Sequence, residues 1–168
     1  MKVILYMAAS MNGFIAKSDD NTSWISKEEW DSYSAKVRKA GNVIVGRRTY
    51  HILTKQPEFA EFKDVKLVAV SSQDFPLLAD NHSIARSPRE ALHQLRDFQE
   101  VIVAGGGKLN ASFLQEKLID EIYIDIEPIV FGDGISLFHS SNFESTLKLL
   151  DTKKISEDEI QLHYKVIK

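Results

Sequence analysis

Three short segments carry the residue types of an anion site: Gly46 to Thr49 (GRRT), Ser71 to Gln73 (SSQ) and Gly105 to Lys108 (GGGK). Arg47, Arg48 and Lys108 offer charged donors, and Thr49, Ser71 and Ser72 offer neutral ones. Gly46 sits at a strand-to-helix turn, where unpaired helix N–H groups favour negative charge. Gly105, Gly106 and Gly107 let a backbone approach a ligand that side chains would hold away. Each segment alone also has a plainer reading. GRRT can be a solvated basic turn with Thr49 in the first helical turn, and the two serines can cap the exit from a strand. GGGK is not a Walker A loop, because Leu109 follows Lys108 where that loop needs Ser or Thr, and Val103 follows Ile102 with no glycine there. It is not G-x-G-x-x-G either, since Asn110 occupies the last glycine position. Side by side at the ends of strands in one sheet, the segments suit a phosphate-rich dinucleotide lying across several strand ends.

Other chemistry is thinly represented. The 21 Lys and Arg against 24 Asp and Glu leave a net charge of −3, so no general basic field holds a nucleic acid or an anionic membrane. The absence of cysteine removes disulfides, thiolate nucleophiles and cysteine-ligated metals, and it suits a reducing cytoplasm. The 5 histidines are scattered without metal-ligand spacing, so no metal is expected. The N-terminal KVILYMAASM reads as a first strand rather than a signal peptide. No apolar stretch approaches the roughly 20 residues that cross a bilayer.

The elements that must position these residues follow from hydropathy. The 168 residues fit one domain, 1–168, with apolar segments recurring almost to the end. Val3 to Ala9 is nearly all apolar, as a strand covered on both faces would be. Ser26 can cap a helix with Glu29 closing the box, and Trp30, Tyr33 and Val37 follow at helical spacing until Gly41. NVIVG and VKLVAV read as further buried strands, with a short helix over Arg47 to Leu53 between them. Residues 80–86 hold a short strand, and Ser87, Pro88 and Glu90 start a helix expected to reach Phe98. EVIVAGGG reads as a strand, LNASFLQEKLID as a helix, and EIYIDIEPIV as a strand with Ile122, Ile124 and Ile126 opposite Tyr123, Asp125 and Glu127. LKLLDTKKISEDEIQLHYKVI forms two strands around a polar turn. The expectation is an α/β fold with a mixed, mostly parallel sheet that ends in an antiparallel hairpin.

The segments AASMNGFIA, WISKEE, VGRRTY, VSSQ and VAGGGKLNASFLQEKLIDEIYIDIEPIVFGDG resemble, in order and spacing, the dihydrofolate reductase superfamily. The last of them is most similar to the C-terminal reductase domain of the riboflavin biosynthesis deaminase-reductase RibD, which suggests a stand-alone member of that group. The resemblance implies a three-layer dihydrofolate reductase-like fold with helices on both sheet faces. It also implies NADPH as cofactor. Gly46, Arg47, Arg48 and Thr49 would meet its pyrophosphate and 2′-phosphate, Ser71 and Ser72 would flank the 2′-phosphate, and Gly105, Gly106, Gly107 and Lys108 would pass beneath the pyrophosphate and nicotinamide ribose. The backbone around Ala8, Ala9 and Ile15 would face the nicotinamide. Glu29, with Glu28 beside it, falls where dihydrofolate reductases place an acid on the first helix, and Asn12 stands where RibD-like domains commonly carry aspartate. Glu29 and Asn12 are therefore the candidate catalytic pair.

The activity so implied is NADPH-dependent hydride transfer to a small heterocycle, of the 5-amino-6-(5-phosphoribosylamino)uracil reductase type. Dihydrofolate reduction, or dinucleotide binding without turnover, is the alternative. No counterpart is found of the arginine-containing segment that meets the ribose phosphate in the riboflavin enzyme. A cytoplasmic homodimer completes the expectation.

Overall fold

Alternation along β1 (Lys2–Ser10) sends Val3, Leu5 and Ala9 into one core and Ile4 and Tyr6 into another, so both faces of this strand are covered. The structure is a computed structural model that describes residues 1–168. After β1 come β2 (Phe14–Ala16), α1 (Lys27–Ala40), β3 (Asn42–Gly46), α2 (Arg47–Leu53), a 3-10 helix (Pro57–Phe62), β4 (Lys66–Val70) and β5 (His82–Ala85). Then follow α3 (Pro88–Gln94), β6 (Glu100–Val103), α4 (Gly107–Gln115), β7 (Glu121–Glu127), β8 (Ile135–Ser136), β9 (Thr146–Lys154) and β10 (Ile160–Ile167).

Eight strands form one sheet in the order β5-β4-β3-β6-β1-β7-β10-β9. The run from β5 to β7 is parallel, while β10 pairs antiparallel with both β7 and β9. The expected parallel sheet with a terminal hairpin is thus present. One core packs Ala91, Leu92, Leu109 and Phe113, from α3 and α4, against the sheet. The other packs Tyr33, Val37, Tyr50 and Leu53, from α1 and α2, against the opposite face. Each fully buried Leu, Ile or Phe contributes about 1.5–3 kcal/mol, and this apolar filling fixes where the strand ends lie. No helix is long and apolar enough to cross a membrane.

α1 begins at the expected Ser26 cap, but Glu29 does not close the box, because Glu127 on β7 takes the Ser26 backbone N–H instead. Ser26 Oγ accepts a hydrogen bond from Glu29 N at 2.9 Å, Glu28 and Glu29 lie at the positive end, and Gly41 ends the helix at φ 71°. Other boundaries differ from expectation. α3 stops at Gln94 instead of Phe98, with Leu95 and Arg96 turning back on Leu92 and His93. α4 starts at Gly107 and ends at Gln115. Lys117 takes a left-handed conformation at φ 57°, with Lys117 N bonded to Leu114 O and Leu118 N to Phe113 O, both at 2.9 Å. That is a Schellman closure without glycine, and it left no glycine signal in the sequence. A two-stranded sheet of β2 and β8 was likewise not anticipated.

Candidate active site

The ends of β3 and β6 bring the two glycine segments into contact: Gly46 N donates to Gly105 O at 2.7 Å. A side chain on Gly46 would point its Cβ at the Gly105–Gly106 backbone, 3.7 Å away. The Gly105–Gly106 peptide bond is cis. Beside this junction opens a cleft of about 1600 Å³, lined on one side by Gly46, Arg47, Arg48, Thr49, Gly106, Gly107 and Lys108. Its far wall is made by α1 through Glu29, Trp30 and Tyr33, and its floor by Tyr6, Ala8 and Ile15.

The remaining sequence candidates lie elsewhere. Ala9 turns into the core on the opposite face of the sheet, and Gly105 lies behind Gly106. Ser71 is buried and engaged locally, donating to Gln73 O at 2.7 Å and accepting from Gln73 N at 3.1 Å. Ser72 is exposed on the same turn. Arg47 reaches toward that turn, where its Nη1 donates to Gln73 Oε1 at 2.5 Å. Asn12 is exposed and braces a loop, accepting from Ser10 Oγ and donating to Phe131 O, each at 2.9 Å. Neither Asn12 nor the serine pair lines the cleft.

The glycine end of the cleft offers positive charge and free donors. α2 and α4 start behind Gly46 and Gly106, and neither helix has a side-chain cap. The first N–H groups of α4 therefore face the cleft unclaimed by side chains. Lys108 makes no ion pair. Arg48 is held by Asp20 of the β2–α1 loop, Nε donating to Oδ2 at 2.8 Å with Nη2 2.7 Å from Oδ1. Charged and backbone donors of this kind, beside glycines that keep Cβ atoms away, fit the diphosphate of a dinucleotide.

The α1 end is acidic. Glu29 is 4% exposed, its carboxyl makes no hydrogen bond within the protein, and it lines the cleft. Burial, and then the negative charges of Asp125, Glu127 and Glu159, push its pKa well above the ordinary carboxylate value. It therefore holds a proton where an ordinary glutamate would have lost it. Asp125 accepts from Tyr6 Oη at 2.7 Å and from Gln161 Nε2 at 2.8 Å. Its pKa still rises to about 6, because desolvation outweighs those bonds. Glu127 accepts from Ser26 N at 2.8 Å and so ties the start of α1 to β7. Burial raises its pKa, and contact with Glu159 adds to the rise. Glu159 Oε2 is buried without a donor, and a proton on Glu127 would supply one.

Tyr6, Asp125, Glu127 and Glu159 were missed in the sequence. Tyr6 stands inside an apolar run, and strand alternation does not tell what covers the polar face of β7. Glu29, Tyr33, Ser34 and Val37 form the buried face of α1. A glutamate at the i−4 position of an apolar stripe was therefore the available signal.

Residues 1–161 match the family model of the RibD C-terminal domain. The uncharacterized Bacillus subtilis protein YwjB is 34% identical over 172 aligned positions, covering 97% of each chain. A Shewanella sp. PV-4 protein provisionally assigned to riboflavin biosynthesis superimposes with a TM-score of 0.81 at 19% identity, over 100% of both chains. A Thermotoga maritima diaminohydroxyphosphoribosylaminopyrimidine deaminase/5-amino-6-(5-phosphoribosylamino)uracil reductase has a TM-score of 0.74 at 17% identity. The alignment takes in 99% of this chain and 56% of that one. At such identities the two structures speak for the fold, which is the dihydrofolate reductase-like one expected.

Proposed function

The chain belongs to the RibD C-terminal domain family, and on that premise we propose that it is an NADPH-dependent reductase of a small pyrimidine- or pterin-like heterocycle. The single observation that carries this reading is the junction of Gly46 with Gly105 at 2.7 Å, with Arg47, Arg48, Thr49 and Lys108 around it. Bound there, NADPH would supply the hydride. Gly106, whose missing Cβ would face Thr49 and Ile15 in the cleft, leaves room for its diphosphate, while Gly46 and Gly107 let the strand ends and α4 pack closely around it; the N-terminus of α4 and Lys108 face that charge. Arg47 is the residue for the 2′-phosphate, with Ser71 and Ser72 flanking it through the turn that Gln73 links to Arg47. Ile15 and the β1 backbone at Ala8 form an apolar floor that excludes water from the ring.

Across the cleft, the Glu29 carboxyl holds a proton within reach of a substrate on the same floor. Tyr6 and Tyr33 keep their own protons, since burial raises both phenols. Hydride addition to a C=N or C=O carbon leaves charge on the neighbouring nitrogen or oxygen, and Glu29 is the group placed to neutralise it. Asn12 acts on the chemistry only through the loop that it braces. The uracil reductase activity of the Thermotoga maritima neighbour supplies the reaction class. The same reading includes a cytoplasmic homodimer. Supporting the dimer, Leu147, Leu149 and Leu150 are 40%, 50% and 45% exposed on the edge strand β9.

Calorimetry with NADPH and NADH tests the cofactor. One charge-assisted hydrogen bond contributes about 1.5–3 kcal/mol, so NADPH should bind at least about tenfold more tightly, and Arg47→Ala should remove most of that preference. Equal affinities in the unmodified protein would refute the cofactor assignment. NADPH bound but unconsumed with aminouracil and dihydrofolate substrates would favour binding without turnover.

A further inference from the structure

Charge is divided unevenly along the cleft. The cations without a carboxylate partner, Arg47 and Lys108, lie at the glycine end. At the α1 end both nearby cations are already committed: Lys27 Nζ is 2.5 Å from Asp31 Oδ2, and Arg38 pairs with Glu61, which also accepts from Trp30 Nε1 at 3.0 Å. Glu58 lines the same end without an ion pair, and Glu29 presents a carboxyl with no hydrogen bond from the protein. Behind Glu29 stand three further buried carboxyl groups, Asp125 and Glu127 on β7 and Glu159 before β10. None of these carboxyl groups forms an ion pair. Tyr6, Trp30 and Tyr33 complete this end with flat apolar surfaces, the rings of Trp30 and Tyr33 being 5.6 Å apart and edge-on.

We infer that the α1 end of the cleft takes a phosphate-free heterocycle, neutral or basic, that presents N–H or protonatable nitrogen atoms to Glu29. A phosphate placed here would give up its hydration and meet no uncommitted cation, while the carboxyl wall would repel it. A ring nitrogen bearing hydrogen instead gives the Glu29 carboxyl its missing partner, and a basic nitrogen can take up the Glu29 proton and be held as a cation against the carboxylate so formed. The aromatic walls accept such a flat ring on its faces. This separates the chain's substrate from the phosphorylated aminouracil of the riboflavin reductase class while keeping the reaction type. The inference rests on the reductase reading for which end of the cleft faces the substrate.

The test is calorimetric titration of three probes, with and without NADPH: 5-amino-6-(ribosylamino)uracil, its 5′-phosphate, and 2,4,6-triaminopyrimidine. Both phosphate-free probes should bind at least about tenfold more tightly than the phosphate. The double variant Asp31→Arg, Glu58→Lys changes only surface side chains of this end. It should narrow or invert that preference and leave NADPH affinity unchanged. Tighter or equal binding of the 5′-phosphate by the unmodified protein, or no binding of any probe, would overturn the inference. Loss of the reductase reading looks different: NADPH then fails to bind, while the probe order still reports the charge of the α1 end.

Discussion

Asp125 gives the sharpest quantitative expectation. It is 1% exposed and keeps its proton up to about pH 6 in the folded protein, against an ordinary value of 3.8. Below 3.8 both folded and unfolded chains carry it neutral, and it contributes nothing to the pH dependence. Above that the unfolded chain releases the proton and the folded chain does not, so stability falls as pH rises to about 6 and is level beyond. Each pH unit in the window costs about 1.4 kcal/mol, which gives about 1.6 kcal/mol at pH 5 and about 3 kcal/mol at pH 7. Asn fits the site. Its amide oxygen can accept from Gln161, and its NH₂ can donate to Tyr6 Oη, which then donates to Ser32 Oγ, now 2.8 Å away. Asp125→Asn should therefore gain stability relative to the unmodified protein, and the gain should grow by about 1.4 kcal/mol from pH 5 to pH 7. Urea unfolding at several pH values between these limits measures it. Parallel stability profiles for the two proteins would refute the assignment of a raised pKa to Asp125.

Glu29→Gln should keep the helix cap and NADPH affinity, because the cap uses the Glu29 backbone N–H and Ser26 Oγ and leaves the carboxyl unbonded. It should lose about 10²-fold or more in single-turnover rate if the carboxyl supplies the proton, and wild-type turnover would move the proton source elsewhere. Two adjacent glycines should answer differently to alanine. At Gly107 a Cβ would lie 2.3 Å from Ser136 O, a backbone atom, so Gly107→Ala should lower the melting temperature measurably. At Gly106 the nearest atom is Thr49 Oγ1 at 3.3 Å, so Gly106→Ala should fold and weaken NADPH binding instead. Leu149→Lys should shift light scattering from dimer to monomer, and an unmodified protein that runs as a monomer would remove the homodimer.

Most of the architecture was legible because it rests on short-range rules. Continuous apolar runs marked the buried strands, Ser26 and Gly41 bounded α1, and the alternation near the C-terminus announced the hairpin. What escaped depends on contacts between distant residues. β8 has 2 residues and exists because it pairs with β2, more than a hundred positions earlier in the chain. The turn at Lys117 places a long polar side chain in a conformation usually left to glycine, so composition gave no warning. At the site, the glycines and arginines could be read because their chemistry lies in their type. The raised pKa of Glu29 could not, since it comes first from burial in the packed fold and then from charges on β7 and before β10, about a hundred residues away in sequence. Asp125 and Glu127 looked like the polar side of a strand, and only α1 lying across that side makes them buried acids.

The ion pair of Arg48 with Asp20 gives the loop between β2 and α1 a stake in who occupies the cleft. Asp20 is held at φ 70° in that loop, and Arg48 remains 65% exposed in its side chain. An incoming anion that claims the guanidinium exchanges one negative partner for another, so the net electrostatic gain is smaller than for a bare arginine. The displaced carboxylate carries its loop with it. Entry of the ligand and loosening of residues 17–25 then become two faces of one exchange reaction. Added salt, which weakens the Asp20 contact as well as the attraction for the ligand, should slow association less than the three clustered cations alone would dictate.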